Sequence, residues 1–345
     1  MTTGATGNLR CLAVADQATA PSAVENKPAP AVLIECRRVE LLAESAGQVF
    51  PWIGPAVRGV VARRFKERVC SQPVAEQFDR WRYCRGCPRQ NLCGYGVTYE
   101  SADANGDEGS RAVVITPTFP LETSLVPGSR FALNITAIGA TAASHLDELT
   151  AAITASGQQP GLGPDRIRFR PLGAAMVAQR RLLVAADFRL PGDVGDSCDI
   201  HLRLTGPLFL RVRCGSKRSP LVQPPPFDRL LATSMRSVRR FCGRALPDLP
   251  FLHDEVLQVA RGARLYDARA WPFQQSRASN RSQQSWKLQG VCGEFIYTGV
   301  PRAVLPWLEV AGILHVGDHR VAGAGGWELN ETVAPRPWLR PRSPR

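Results

Sequence analysis

One order of elements occurs twice along this chain of 345 residues: strand, helix, strands, helix, strand. In the first run, "AVLIECRRVELL" from Ala31 predicts a strand. "PAVRGVVARRFKERV", Pro55 to Val69, predicts a helix with Val57, Val61 and Phe65 on one face. "GVTYE", "RAVVITPTF" and "RFALNITAIG" predict strands, "HLDELTAAITAS" a helix capped at Ser144 and stopped at Gly157, and "QRRLLVAADFRL" a last strand. The second run starts with a strand over Asp199 to Val212. "FDRLLATSMRSVRRFCGRAL" then predicts a helix with Leu231, Met235, Val238 and Cys242 inward and Arg229, Arg236 and Arg240 on another face. Strands around "LQGVCGEFIYTG", a helix near Ala303 to Gly312, and a glycine-rich stretch complete it.

A doubled pattern of this kind predicts an α+β protein of two tandem ferredoxin-like (RRM-like) domains. The first spans 31–192 with a cysteine-rich insertion near 70–95, and the second spans 198–331 with the glycine-rich loop. Residues 1–30, rich in Ala, Thr and Pro, and the basic tail 332–345 lack any sustained period and are expected to be unfolded.

Charge narrows the partner class. Lys and Arg number 43 against 30 Asp and Glu, a net charge of +13, which favours a polyanion such as nucleic acid. Only Lys27, Lys66, Lys217 and Lys287 are lysines; the remaining cations are arginines, whose planar guanidinium forks onto phosphate and stacks on bases. No apolar run approaches the ~20 residues of a membrane helix and the start lacks a secretory order, so a cytoplasmic protein with no membrane partner is expected.

Cys70, Cys84, Cys87 and Cys93 fall within 24 residues, Cys84 and Cys87 as a C-x-x-C pair. That spacing puts two thiolates on one turn, and four could close a tetrahedral structural zinc site. An iron-sulfur cluster is the alternative metal, and free thiols the non-metal one.

"GILHVGDHRVAGAGGW", Gly312 to Trp327, lacks the G-K-[ST] of a Walker loop and the G-x-G-x-x-G of a dinucleotide fingerprint, so no nucleotide cofactor is expected. Gly317, Gly323, Gly325 and Gly326 could bring backbone amides to a phosphate chain, with His315, His319 and Arg320 beside it. "SRASNRSQQSWKLQGVCGEF" gathers Arg277, Ser279, Arg281 and Lys287 among polar residues suited to RNA backbone and base edges.

Together these two stretches resemble the C-terminal signature of the CRISPR-associated endoribonucleases that process precursor CRISPR RNA, the sixth CRISPR-associated protein family of the RAMP superfamily. The resemblance runs through Arg277, Ser279, Arg281 and Gln283, then Gly290 and Gly293, then "AVLPWLEVAGIL", then His315-Val316-Gly317 and Gly323-Ala324-Gly325. Weaker likenesses are Arg58-Gly59, the cysteine cluster leading into "GYGVTYE", and "PGLGPDRIRFRPL". The resemblance implies tandem ferredoxin-like domains and metal-independent cleavage of repeat RNA, in which a 2′-hydroxyl attacks the adjacent phosphate with help from a base, an acid and a facing cation.

Three positions depart from the family. "PAVRGVVARRFKERVC" carries no histidine where many members have one, Ala278 replaces a common aromatic, and Asp318 stands where lysine usually follows the H-V-G element. On the resemblance, His315 is the expected base or acid with His319 as its alternative, Lys287 the cation, and Arg281 a phosphate clamp. Arg277, Ser279, Gly317, His319, Arg320, Gly323 and Gly325 are the expected RNA contacts. The missing histidine also keeps open a non-catalytic RNA-binding subunit of a CRISPR effector complex, and asks of Asp318 that it turn away or pair with Arg320.

Overall fold

A computed structural model describes residues 30–77, 84, 86–100, 111–188, 196–214, 216–249, 258, 260–279 and 284–332. Residues 1–29, the tail from 333, His253 and Arg281 lie outside the described residues. The first half contains β1 (Ala31–Ala43), β2 (Gly47–Gln48), α1 (Gly54–Val69), α2 (Val74–Gln77), α3 (Gly94–Thr98), β3 (Val113–Pro117), β4 (Ser124–Leu125), β5 (Arg130–Ile138), α4 (Ala140–Ala143), α5 (Leu146–Gln158), β6 (Phe169–Pro171) and β7 (Met176–Val184). The second contains β8 (Ser197–Leu204), β9 (Arg211–Cys214), β10 (Lys217–Pro220), α6 (Phe227–Cys242), β11 (Arg264–Ser279), β12 (Gln284–Pro301), α7 (Leu305–Leu314) and β13 (Trp327–Thr332).

The two main sheets repeat one topology. In the first, strand order is β3-β5-β1-β6, with β7 also pairing β1; in the second it is β11-β12-β8-β13, and every pairing is antiparallel. Counted within its own half, each sheet runs second, third, first, fourth strand, with one helix after the first strand and one after the third. That is the ferredoxin-like arrangement, found twice.

Helix faces follow the sequence period. Val57, Val61 and Phe65 of α1 are buried with Leu149 and Ile153 of α5 on the first sheet. Leu231, Met235, Val238 and Cys242 of α6 are buried under the second, and Arg229, Arg236 and Arg240 are exposed. The second core does not stop at its own half: Val32, Ile34, Ile138, Leu183 and Phe188 join it, and the Phe188 ring lies 4.9 Å from that of Trp307 on α7. Burying apolar surface across the boundary makes the two halves mutually stabilising.

Several expected boundaries differ. "GVTYE" is not a strand but part of α3, because Tyr95 and Tyr99, four residues apart, stack at 5.4 Å and both pack on Phe65, a contact that needs the helical period. The strand expected over Asp199 to Val212 breaks into β8 and β9 at Gly206-Pro207, where a Cβ on Gly206 would stand 2.4 Å from the Gly323 carbonyl oxygen. Ser144 does not cap α5, whose N-cap is His145; its hydroxyl donates to the Thr141 carbonyl instead. Gly157 lies inside α5. The polar stretch from Ser276 is a long hairpin, in which Arg277 pairs Trp286, Ser279 pairs Gln284 and Ser276 pairs Lys287.

Candidate nucleic-acid interface

The glycine-rich stretch leaves α7 at His315, whose φ of 63° and ψ of 153° turn the chain sharply back. This residue is 4% exposed and both ring nitrogens are engaged. Nδ1 lies 2.9 Å from the Ala324 carbonyl oxygen, and Nε2 lies 3.1 Å from Thr116 Oγ1 on β3 of the other half. A carbonyl can only accept, so the network assigns the proton to Nδ1 and leaves Nε2 to accept from the threonine hydroxyl. Burial lowers the imidazole pKa to about 4, the Arg320 charge adding to the fall and the Ala324 bond opposing it. His315 is therefore neutral at pH 7, sealed from solvent, and its one lone pair is occupied. The expected base or acid is instead a link between the two halves.

The rest of the loop closes the same seam. Val316 N–H donates to Gly325, Asp318 N–H to Phe209, Ala322 N–H to His319, Gly323 N–H to Arg320 and Gly325 N–H to Pro207. Those amides are the donors a phosphate cradle would need, and they are already used. Residues 320–327 are buried, Gly323 and Gly325 among them. Both adopt positive φ, and a Cβ on Gly325 would stand 1.9 Å from the Val316 oxygen, one on Gly323 2.6 Å from Thr116 Cα. Arg320, also buried, donates to the Leu314 and Arg111 carbonyls and lies 3.7 Å over the Phe241 ring. From α1, Arg58 donates to the Val321 carbonyl at 3.3 Å. The expected RNA contacts Arg320, Gly323 and Gly325 are thus interior supports, held between α1, β3 and β8.

Only the loop's outer turn reaches a groove. Gly317 and Asp318 are exposed and form one wall of a pocket of about 380 Å³. Its other walls are the β9–β10 hairpin, with Arg211 and Arg218, and α6, with Arg229, Thr233 and Arg236. The helical period places positions 229, 233 and 236 on one side of α6, opposite the buried Leu231, Met235 and Val238. Ser237 Oγ donates to the His315 carbonyl at 2.9 Å and so fixes α6 against the loop. Arg211 Nε lies 2.8 Å from Asp318 Oδ2, while Arg236 donates to the Ala232 carbonyl and to Thr233 Oγ1. Asp318 pairs with Arg211, not with Arg320. Four guanidinium groups face one carboxylate, an arrangement that attracts an anion and, through the planar forks, suits a phosphodiester.

His319 is half-buried beside this wall, its ring 5.6 Å from and edge-on to Phe209. Lys287 is exposed on β12, next to Leu288, which is buried with Trp52, Phe209 and Phe273 in an aromatic cluster between the halves. Arg277 and Ser279 sit on the facing strand β11. The structure does not bring His315 to the surface with Lys287, and Arg281 lies outside the described residues. Arg211 and Arg218 escaped the sequence reading; the signal was "RVRCGSKR", a turn flanked by cations, which reads as a basic hairpin.

The four clustered cysteines lie between the end of α1 and the start of α3. Cys93, at the N-cap of α3, receives the backbone N–H groups of Ser71, Tyr95 and Gly96 and the Cys70 thiol; as a thiol it can donate to the Val69 carbonyl at 3.8 Å. Burial raises its pKa, but these donors outweigh burial and hold it below the usual thiol value. Cys84, pushed up to about 12 by burial, lacks such donors. Gln72 Nε2 donates to Cys87 Sγ at 3.2 Å. Among the described residues no three His, Cys, Asp or Glu side chains stand together as a group able to hold a metal ion. No described helix is long and apolar enough to cross a membrane.

Comparison with known proteins divides at the same place as the two sheets. A family model described as an N-terminal domain matches residues 32–185, and the model of the CRISPR-associated endoribonuclease Cas6 matches residues 202–327. No curated protein matches the chain. Solved structures similar to it include a Cas6 product complex, at 13% identity and TM-score 0.49, with 86% of this chain and 100% of that one covered. Thermus thermophilus Cas6 superposes at 12% identity and TM-score 0.45, covering 87% and 99% of the two chains. A Cas6-related protein from Pyrococcus furiosus gives 10% identity and TM-score 0.45, covering 86% and 98%. From within β8 to the start of β13, the second half of the chain is a Cas6-family domain.

Proposed function

We propose that this protein binds the repeat RNA of precursor CRISPR transcripts and grips its backbone in the pocket formed by Arg211, Arg218, Arg229 and Arg236. The observation that carries the reading is this convergence of four arginines on an open groove beside Gly317 and Asp318. Guanidinium groups on three elements can meet successive phosphates, and the field they set up speeds the approach of a polyanion.

Cleavage in this reading is attack of a 2′-hydroxyl on the adjacent phosphorus, with arginines facing the charge that builds on the phosphorane. The burial of His315 and its two hydrogen bonds count against it as base or acid in this reading. His319, at the pocket's edge, takes that place. His201 is paired with Glu294 at 3.2 Å on the second sheet, and His145 packs edge-on to Phe65 in the first half. Lys287, exposed on β12, adds a further cation to this reading.

A second reading, a non-catalytic RNA-binding subunit of a CRISPR effector complex, is favoured by the neutral, locked state of His315. One experiment decides between them. Purified protein is incubated with its cognate repeat RNA in EDTA and the fragment ends are analysed. Fragments with a 5′-hydroxyl and a cyclic phosphate, lost in His319→Ala, support the enzyme. Tight binding with intact RNA supports the subunit, and failure to bind repeat RNA above a scrambled control removes both.

A further inference from the structure

We propose that a second groove, at the start of α6, takes one unpaired nucleotide of the same RNA, its base against a proline wall and its phosphate on Arg261 and Arg264. This site rests on the RNA reading above and extends it.

The groove has a volume of about 420 Å³, room for a nucleotide, and lies between two segments. One is the run Pro224-Pro225-Pro226 that leads into α6. The other is the turn from Ala260 into the first residues of β11. Three consecutive prolines fix φ at each position and present ring faces with no backbone donor to satisfy. The Tyr297 hydroxyl donates to the Pro225 carbonyl at 2.8 Å and anchors that wall to the second sheet. The Ala263 N–H to Ala260 carbonyl bond of 3.2 Å closes the opposite turn. Both walls are therefore held by the fold before any ligand arrives.

The chemistry of the groove is divided. Its apolar side includes the prolines and Leu265, which is 42% exposed. Tyr266, one residue on, is also exposed, because the register shift between Leu265 and Asp267 leaves it without a cross-strand partner. Such a bulge re-aims a side chain away from the sheet. Arg261 and Arg264 line the groove as exposed cations, and among the described residues neither guanidinium is in an ion pair. Asp228 is the one carboxylate in the walls; it sits in the first turn of α6, where free backbone N–H groups offset its charge. An apolar slot with two cations in its walls fits a flat base joined to a phosphodiester.

Continuity with the arginine pocket identifies the anion as RNA. The two cavities share one stretch of chain: Arg218 lines the first, Pro224 to Asp228 the second, and Arg229 the first again. The Leu221 N–H donates to the Leu210 carbonyl at 2.9 Å and ties this stretch to a wall of the arginine pocket. Asp228 and Arg229 are consecutive on α6, so a strand held at Arg229 reaches the groove across the first helical turn. A base inside a duplex is stacked and paired, and only an unpaired one can turn into such a slot. The groove therefore favours RNA that leaves a nucleotide single-stranded beside the gripped phosphates.

The test compares repeat RNA binding by the full chain and by two double variants. Arg261→Gln with Arg264→Gln should weaken binding about tenfold and flatten the slope of log K against log salt by about 0.7, the share of one single-strand phosphate. Arg130→Gln with Arg168→Gln removes the same charge from exposed positions of the first half and should leave both quantities near wild type. A diazirine-bearing base placed at each RNA position in turn should crosslink, in the wild-type protein, to the segment from Pro224 to Asp228 or from Ala260 to Leu265. Three results would each overturn the groove while leaving the RNA reading in place: wild-type affinity and slope in the Arg261 and Arg264 variant, equal losses in both double variants, or crosslinks confined to other segments. Failure of the wild type to bind repeat RNA above a scrambled control would remove the RNA reading and this site with it.

Discussion

His315 Nε2 lies 3.1 Å from Thr116 Oγ1, and this bond joins the H-V-G element of the second half to β3 of the first. Its partner on the other side, the Ala324 carbonyl, completes a neutral imidazole with no free nitrogen. Replacing the ring with alanine removes two hydrogen bonds, opens a cavity, and strands a buried hydroxyl and carbonyl. His315→Ala should therefore destabilise the fold by about 2–4 kcal/mol in urea unfolding at pH 7. A variant as stable as wild type would refute the linking role.

The same burial predicts a pH dependence. The folded state holds the His315 pKa near 4, below the ordinary 6.5, so the unfolded chain binds the extra proton between those values. Its stabilising effect is complete above pH 6.5 and is lost as pH falls through the window toward 4, on the order of 3 kcal/mol in full. His315→Gln, which cannot titrate, should flatten that part of the stability profile. Equal slopes for wild type and variant between pH 6.5 and 4.5 would show that the ring is not held neutral.

Much of this arrangement could be read from sequence, and the missing part has a definite cause. The helix faces of α1 and α6 obey a 3.6-residue period that depends only on local order, so Val57, Val61, Phe65, Leu231, Met235 and Val238 are buried as expected. The glycine stretch is different. Whether its amides face RNA or protein depends on Thr116, Arg58 and Arg111, between 199 and 263 residues away from their partners, and no local pattern encodes that docking. Glycines that let a backbone approach phosphate equally let it approach another strand. The arginines of the pocket were half legible: α6 displayed Arg229 and Arg236 through its period, whereas Arg211 sat at the end of an expected long strand and Arg218 just beyond it, on a hairpin that the strand reading did not anticipate.

Gly325 and Gly86 separate steric fit from backbone preference. Both have positive φ, 71° and 83°, but a Cβ on Gly325 meets the Val316 oxygen at 1.9 Å while one on Gly86 meets nothing within 4 Å. Gly86→Ala should cost about 1 kcal/mol, the left-handed penalty alone. Gly325→Ala should cost more than about 3 kcal/mol or prevent folding, since backbone must move. Thermal unfolding of the two variants measures the difference, and similar costs would place the glycine stretch outside the seam.

Arg229 and Arg236 present exposed guanidinium groups to the pocket, and Arg320 does not. Arg229→Gln with Arg236→Gln should leave stability within about 0.5 kcal/mol of wild type. Repeat RNA affinity should fall roughly tenfold or more, and the slope of log K against log salt should flatten by about 0.7 for each single-strand phosphate that the variant no longer neutralises. Arg320→Ala should act in the opposite order, lowering thermal stability because the Leu314 and Arg111 carbonyls and the Phe241 ring lose a buried cation. An unchanged salt slope in the double variant would mean that RNA passes elsewhere.

Asp318 is the one carboxylate lining the arginine pocket, and it holds Arg211 at 2.8 Å. Its negative charge opposes the field that the four arginines create. Both groups of the pair are half exposed, and the ion pair itself contributes little to stability. Asp318→Asn keeps the shape of the turn, removes a negative charge from the path of the phosphates and frees Arg211 to meet them. Association with repeat RNA should become severalfold faster at low salt, and the gain should shrink toward nothing at high salt, where charges beyond about 3 Å are screened at 1 M. Surface-immobilised RNA and association rates at two ionic strengths read this directly. A rate that stays level or falls at low salt would show that Asp318 positions Arg211 for binding, and that the pair, not the free guanidinium, is the unit that meets RNA.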